Sequence, residues 1–333
     1  MTSIPYSILD LASVMQGDTM QQTFHKSLAS AQKAEELGFT RYWFSEHHNM
    51  PSVASAATSL LIGYVAENTK TMRIGSGGVM LPNHAPLIVA EQFGTLGTLY
   101  PGRIDLGLGR APGTDNPATI AIRKQHAYQP YDFKGHIEEL QQYLSESNHA
   151  SPVRAFPGEG VKMPIWILGS STDSAYLAAE LGLPYAFASH FAPTQMMAAF
   201  DIYKRLFKPS KQLQSPYHMA CLSIIAADTM DEAQFLATSM YRAYLGIITD
   251  TRAPMQPPIG VEEMEALWTP QQKAAVQQMT AYSLIGDKSF LKEKIGYFIS
   301  QTGIKELMTI TQVFDIEKKH RSMEIIADVM KDF

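Results

Sequence analysis

Short apolar runs alternate along the chain with longer stretches in which apolar residues recur every three or four positions. The first run, residues 6–11, reads as a strand. Thr19 and Gln22 then fit a capping box, in which each residue closes a free backbone N–H of the other's turn. Phe24, Leu28, Ala31 and Ala34 follow at helical spacing, and Gly38 stands where a helix ends in a left-handed residue. The alternation continues with a strand over 41–44, an Ala-, Ser- and Leu-built helix over 51–67, a strand over 72–81, a helix over 87–99 and a strand over 103–108. Residues 111–134 bring Pro, Gly, Asn and Tyr without a period, which predicts an inserted loop. The pattern then resumes: helix 136–146, strand 164–168, helix 172–181, strand 185–188, helix 192–206, strand 219–226 and helix 231–245. Residues 248–272 contain Pro254, Pro257, Pro258 and Pro270, which predicts a second insertion and a candidate lid. A helix over 290–300, a strand over 306–311 and a helix over 315–330 complete the series.

Eight strands, each followed by a helix, imply a parallel sheet. Eight such units predict a closed (β/α)8 TIM barrel of roughly 250 residues, leaving roughly 80 for insertions, in a single domain over 1–333. An open doubly wound sheet is the alternative. The chain has 333 residues, 45% hydrophobic and 18% charged, which excludes collagen-like and disordered classes. Its 27 Lys and Arg against 32 Asp and Glu, a net charge of −5, argue against a nucleic-acid or membrane surface. Cys221 is the single cysteine, so no intrachain disulfide forms, which fits a cytoplasmic setting. No Lys or Arg precedes Lys26, so a secretory signal would lack its basic region, and the apolar stretch 52–66 is too short and too rich in Ser and Thr to span a bilayer.

In a barrel, chemistry is expected where strands end, so polar residues directly after apolar runs are the candidates. The aromatic strand Tyr42-Trp43-Phe44 stops at Ser45-Glu46-His47-His48-Asn49. Strand alternation points Glu46 and His48 one way and His47 the other. An imidazole there hydrogen-bonds or transfers a proton near neutral pH. No third ligand stands at a recognised metal spacing, so no metal is expected. Gly75, Gly77 and Gly78 fall within four positions of a strand, which suits either a packing bulge or a flat ligand laid against the backbone. Gly169-Ser170-Ser171 opens a helix and offers N–H groups and hydroxyls to an anion, with Arg110 at another strand end as the fixed charge; a plain N-cap is the other reading of the serines.

Four segments together resemble the bacterial luciferase-like flavin monooxygenase family. They are Ser45-Glu46-His47-His48-Asn49, Gly75-Ser76-Gly77-Gly78-Val79-Met80-Leu81-Pro82, Ala90-Glu91-Gln92-Phe93-Gly94-Thr95-Leu96, and Pro101-Gly102-Arg103-Ile104-Asp105-Leu106-Gly107-Leu108-Gly109-Arg110. The resemblance runs nearly end to end and is specific in combination. It implies a barrel that takes reduced FMN at its C-terminal face. Within it, His47 matches the catalytic histidine, with Glu46 beside it. Gly77-Gly78, following Ser76, matches a non-prolyl cis peptide beneath the flavin ring. Arg110, with Gly169, Ser170 and Ser171, matches the phosphate site. Glu91 matches a carboxylate supporting the site from helix three, and His48 stands behind His47. The resemblance further implies a two-component monooxygenase, with a separate flavin reductase, O2 and a small organic molecule as substrates. A homodimer through helices two and three is implied too, and Ala54, Ala56 and Ala57 would allow close approach there. A deazaflavin-dependent hydride-transfer enzyme, a flavin-free phosphate-binding lyase or isomerase, and a non-catalytic flavin-binding protein are the rival readings.

Overall fold

A computed structural model describes residues 4–111 and 113–333. Its strands are β1 Tyr6–Asp10, β2 Arg41–Phe44, β3 Arg73–Ser76, β4 Val79–Met80, β5 Ile104–Gly109, β6 Ile165–Gly169, β7 Tyr185–Phe187, β8 His218–Ala226, β9 Leu284–Gly286 and β10 Glu306–Ile310. All pairings between them are parallel, in the order β10-β1-β2-β3-β5-β6-β7-β8, and β10 pairs back with β8, so eight strands close a (β/α)8 TIM barrel. The open-sheet alternative falls with that last pairing, in which Glu306 faces Met219 and Ile310 faces Ser223. The helices are α1 Met20–Glu36, α2 Thr58–Glu67, α3 Pro86–Leu99, α4 Asn116–Arg123, α5 Phe133–Leu144, α6 Thr172–Leu181, α7 Met196–Leu206, α8 Met230–Ile248, α9 Val261–Leu267, α10 Pro270–Met279, α11 Lys288–Thr302 and α12 Ile316–Met330. Among the described residues no helix is long and apolar enough to cross a membrane.

The local signals act as the sequence predicts where they concern a single element. Thr19 and Gln22 form the capping box that starts α1, and Gly38, with φ +81°, turns the chain after it. The main core lies between the barrel wall and the helices, where residues such as Tyr42, Phe44, Ile74, Phe93 and Tyr185 are fully buried.

Four expectations are corrected. The helix expected over 51–67 begins only at Thr58. Its first part is drawn instead onto the loop after β1: Val14 N–H bonds the Ser52 carbonyl, Ser13 pairs with Val53, and Ala54 N–H bonds the Ala12 carbonyl. Ala54, Ala56 and Ala57 therefore precede α2 rather than line it. The strand expected over 72–81 is broken into β3 and β4 by Gly77 and Gly78, whose peptide bond is cis. The insertion 111–134 is not loop throughout, because Asp115 caps α4 by accepting a bond from Ala118 N–H, with Pro117 in the first turn; Pro112 lies outside the described residues. The insertion 248–272 carries α9 and the start of α10, whose Thr269–Gln272 capping box is a sequence signal of the same kind as the one at α1. The sequence pattern does not predict β9, which among the described residues pairs only with the end of β8, at Ile224–Ala226.

Candidate active site

The C-terminal ends of the strands surround one large cavity of about 880 Å³. Leu9, Ser45, His47, Gly77, Gly78, Gly109, Arg110, Gly169, His190 and Gln312, from successive strand ends, line its floor and walls. Residues of α8 and of the stretch 249–256 lie along its other side, from Arg242 to Gln256. That stretch is tied to the barrel by a parallel bridge between Met15 and Met255.

The end of β2 places its three polar residues in two environments. Glu46 is 1% exposed and does not line the cavity. Its Oε1 accepts bonds from His48 Nε2 and His84 Nε2, both 2.9 Å, and its Oε2 accepts the Met80 N–H at 3.0 Å. Burial alone would raise this carboxyl, but the bonds from His48, His84 and Met80 hold it down at about 2. Buried Glu46 and half-buried His48 thus form a brace between the end of β2 and the turn after β4. His47 turns the other way and lines the cavity. Its Nδ1 lies 3.0 Å from Ser45 Oγ, which in turn lies 3.1 Å from Ser55 Oγ, so Nε2 is the nitrogen without a partner among the described residues. Burial pushes the His47 imidazole down to about 4, against the pull of the Glu46 charge and with the help of His48 and Arg252. It is neutral at pH 7.

Gly77 and Gly78 form part of the floor. A Cβ on Gly77 would stand 2.8 Å from Leu9 Cδ1, and one on Gly78 would stand 2.7 Å from the Gly107 carbonyl oxygen. Only glycine lets both neighbours approach that closely. Ser76 does not reach the cavity; its hydroxyl is bonded across to β5, to the Gly107 carbonyl and N–H, both at 2.9 Å. Arg110, Gly169, Ser170 and Ser171 gather at one edge of the cavity, at the start of α6. The Ser171 side chain makes no capping bond to its own helix, although it occupies the N-cap, so its hydroxyl is available there. Arg110 Nη2 reaches Asp173 at 3.1 Å, an exposed pair that water screens. Glu91 is half-buried on α3, and it does not line the cavity.

Three features escape the sequence reading. His190, 9% exposed, follows β7, lines the cavity, and has a buried Nδ1 with no partner among the described residues; burial, then the nearby His47, push it down to about 3. Arg242 and Arg252 also line the cavity, from α8 and the proline-containing stretch after it. At the opposite end of the barrel, Arg41 joins the fully buried Asp105 and Glu306 at 2.8 and 2.9 Å; Arg73 and Trp43 also bond Asp105, and Ser7 and Tyr217 also donate to Glu306. This polar plug closes the barrel floor away from the cavity. Among the described residues no group of three or more His, Cys, Asp and Glu is arranged to hold a metal ion.

A family model described as luciferase-like monooxygenase matches residues 5–305. The chain is 48% identical over 327 residues to uncharacterized protein YvbT of Bacillus subtilis strain 168, covering 98% of this chain and 96% of the relative. It is 46% identical over 330 residues to a luciferase-like monooxygenase of Escherichia coli strain K12, covering 99% and 98%. Among solved structures, apo-MsnO8 has a TM-score of 0.91 at 30% identity over 98% of both chains. The oxygenating constituent of 3,6-diketocamphane monooxygenase of Pseudomonas putida, solved with FMN, has a TM-score of 0.74 at 18% identity over 98% of both chains. An F420-dependent secondary alcohol dehydrogenase has a TM-score of 0.66 at 14% identity, again over 98% of both chains. The last two likenesses show the fold alone.

Proposed function

The chain belongs to the luciferase-like monooxygenase family, and from that premise we propose that it takes reduced FMN from a separate flavin reductase and uses O2 to oxygenate a small organic substrate. The observation that carries this reading is the meeting of His47, Gly77, Gly78, Arg110, Ser170 and Ser171 in one cavity at the C-terminal face. About 880 Å³ lies toward the upper end of the range for small-molecule sites, which suits a flavin and a substrate together. Bound reduced flavin supplies the two electrons that divide O2 between substrate and water. Arg110 and the Ser170 and Ser171 hydroxyls hold the phosphate through charge-assisted bonds at a helix start. Gly77 and Gly78 let the ring lie against backbone. The FMN-bound neighbour is the support from outside the chain for this cofactor.

His47 does its work as a neutral imidazole. With Ser45 Oγ donating to Nδ1, the proton stands on Nε2 and is offered to the reacting oxygen. Glu46 acts through His48 and Met80, by holding the turn that aims His47. The stretch 249–256 serves as a lid that keeps water from the reacting atoms. We place the enzyme in the cytoplasm, in keeping with a single buried cysteine, and as a homodimer through α2 and α3.

Anaerobic mixing with reduced FMN, and separately with reduced F420, tests the reading. Saturable binding of reduced FMN, followed by oxygen uptake and flavin reoxidation on adding air, is the expected result. Binding of reduced F420 alone, without oxygen uptake, would replace the reading with hydride transfer, for which the F420-dependent neighbour provides the precedent.

A further inference from the structure

The net charge of the chain is −5, yet its cavity is lined by Arg110, Arg242 and Arg252, and by no Asp or Glu among the described residues. Each guanidinium has a different situation. Arg110 stands beside the serines at the start of α6 and pairs with Asp173. Arg242 donates to the Pro257 carbonyl at 2.7 Å, which anchors the stretch after α8. Arg252 forms no ion pair within 4 Å among the described residues; its one hydrogen bond goes to the Met50 thioether at 3.7 Å, a weak acceptor. Met50 follows His47 by three residues and lines the same cavity, so this contact places Arg252 on the side where the stretch after β2 lies, and its charge acts on His47 and Asp115. Asp115 is already occupied by Ala118 N–H at 2.9 Å and Asn49 at 2.8 Å. The cavity lining on the lid side includes the apolar side chains of Met50, Leu245, Ile247, Met255 and Leu267, together with Thr249, Thr251 and Gln256.

We propose that Arg252 binds the carboxylate of the substrate, so that this enzyme acts on an organic acid whose apolar body fills the cavity beneath it. A guanidinium matches a carboxylate in two parallel bonds, and Arg252, exposed at the rim of the cavity, is free to turn to such a partner. The assignment of this charge to the substrate rests on the flavin reading, because Arg110 and the serines are then taken by the phosphate. The carboxylate would be held at the lid side, and the carbon to be oxygenated would lie in the apolar space toward His47.

The test is displacement of N-phenyl-1-naphthylamine, a neutral fluorescent probe of apolar cavities, by octanoate and by 1-octanol. The purified protein is used in a phosphate-free buffer, so that no buffer anion competes with octanoate at either Arg110 or Arg252. Octanoate is expected to displace the probe at a concentration at least roughly tenfold below that of octanol, the scale of one charge-assisted pair. Arg252→Gln should erase that advantage while leaving octanol unchanged, and Arg252→Lys should keep part of it. Equal displacement by the two ligands in the unaltered protein would overturn the proposal, as would an octanoate advantage that survives Arg252→Gln. So would an advantage lost only in Arg110→Gln, which would move the anion to the α6 edge. Reduced FMN binding is measured on the same proteins: if it is absent while the Arg252-dependent advantage persists, the flavin reading fails and the carboxylate site stands.

Discussion

His47 and His190 face the same cavity, and burial holds both imidazoles far below their ordinary value, at about 4 and about 3. A neutral imidazole contributes an N–H and a lone pair rather than a full positive charge. Positioned proton-handling groups contribute about 100- to 10,000-fold, so His47→Ala is expected to lower product formation by at least roughly 100-fold. More of the reduced flavin should then be lost to hydrogen peroxide, measured as the ratio of peroxide to product. His47→Gln, which keeps an N–H donor, should lose less than His47→Ala. His48→Ala should also lose less, because His48 touches Glu46 and not the cavity. If His48→Ala is the more damaging change, the end of β2 is a brace only. The pH profile checks the same point. With His47 titrating near 4, its contribution should stay level from about pH 8 down to pH 5 and fall below that, whereas an inflection near 6.5 would contradict a buried neutral ring.

At the scale of elements, one carboxylate joins the end of β2 to the turn after β4. Glu46→Ala removes the acceptor for His48, His84 and the Met80 N–H together. These donors are part-buried, so each one left without a partner costs at most about 1–3 kcal/mol, and urea unfolding should shift by about 1 kcal/mol or more. An unchanged midpoint would show that water replaces the carboxylate. The barrel itself was legible because each of these features is carried by a short window. Buried parallel strands read as apolar runs, and Thr19, Gln22 and Gly38 mark the ends of α1 by local chemistry. Long-range pairing was not legible. The Ala- and Ser-rich segment before α2 has helical composition, yet its backbone is used by Val14 and Ala12 across the chain. Of the candidate residues, His47, Gly77, Gly78, Arg110, Gly169, Ser170 and Ser171 line the cavity, while Glu46, His48, Ser76 and Glu91 do not. For Ser76 the difference is a hydroxyl bonded to a neighbouring strand, and no sequence window contains that strand's carbonyl. His190 follows a strand of only three residues, with Ser189 as its one polar neighbour, and Arg252 stands in a stretch without period.

For the whole molecule, the buried histidines set how stability responds to acid. His47, His190 and His218 are held at about 4, 3 and 4, each mainly by burial, against an ordinary value of 6.5. Between pH 6.5 and those values the unfolded chain binds protons that the folded chain refuses, so stability is complete above 6.5 and falls as pH drops toward 4. Glu46, depressed from 4.5 to about 2, adds a further loss below 4.5. The urea midpoint should therefore be clearly lower at pH 5 than at pH 7.5, and equal midpoints would contradict the buried neutral rings. Leu60 on α2 and Leu99 on α3 are 73% and 63% exposed, so sedimentation at micromolar concentration should show a dimer; a monomer there would count against the α2–α3 interface. The central claim is that this barrel recognises reduced FMN by its phosphate at Arg110, Ser170 and Ser171. The most direct test is the ratio of affinities for reduced FMN and reduced riboflavin, which share a ring and differ by the phosphate, measured anaerobically on the unaltered protein and on Arg110→Ala. The account predicts that FMN binds at least roughly tenfold more tightly and that Arg110→Ala removes most of that difference. Equal affinities in the unaltered protein, or a preference that Arg110→Ala leaves intact, would contradict it.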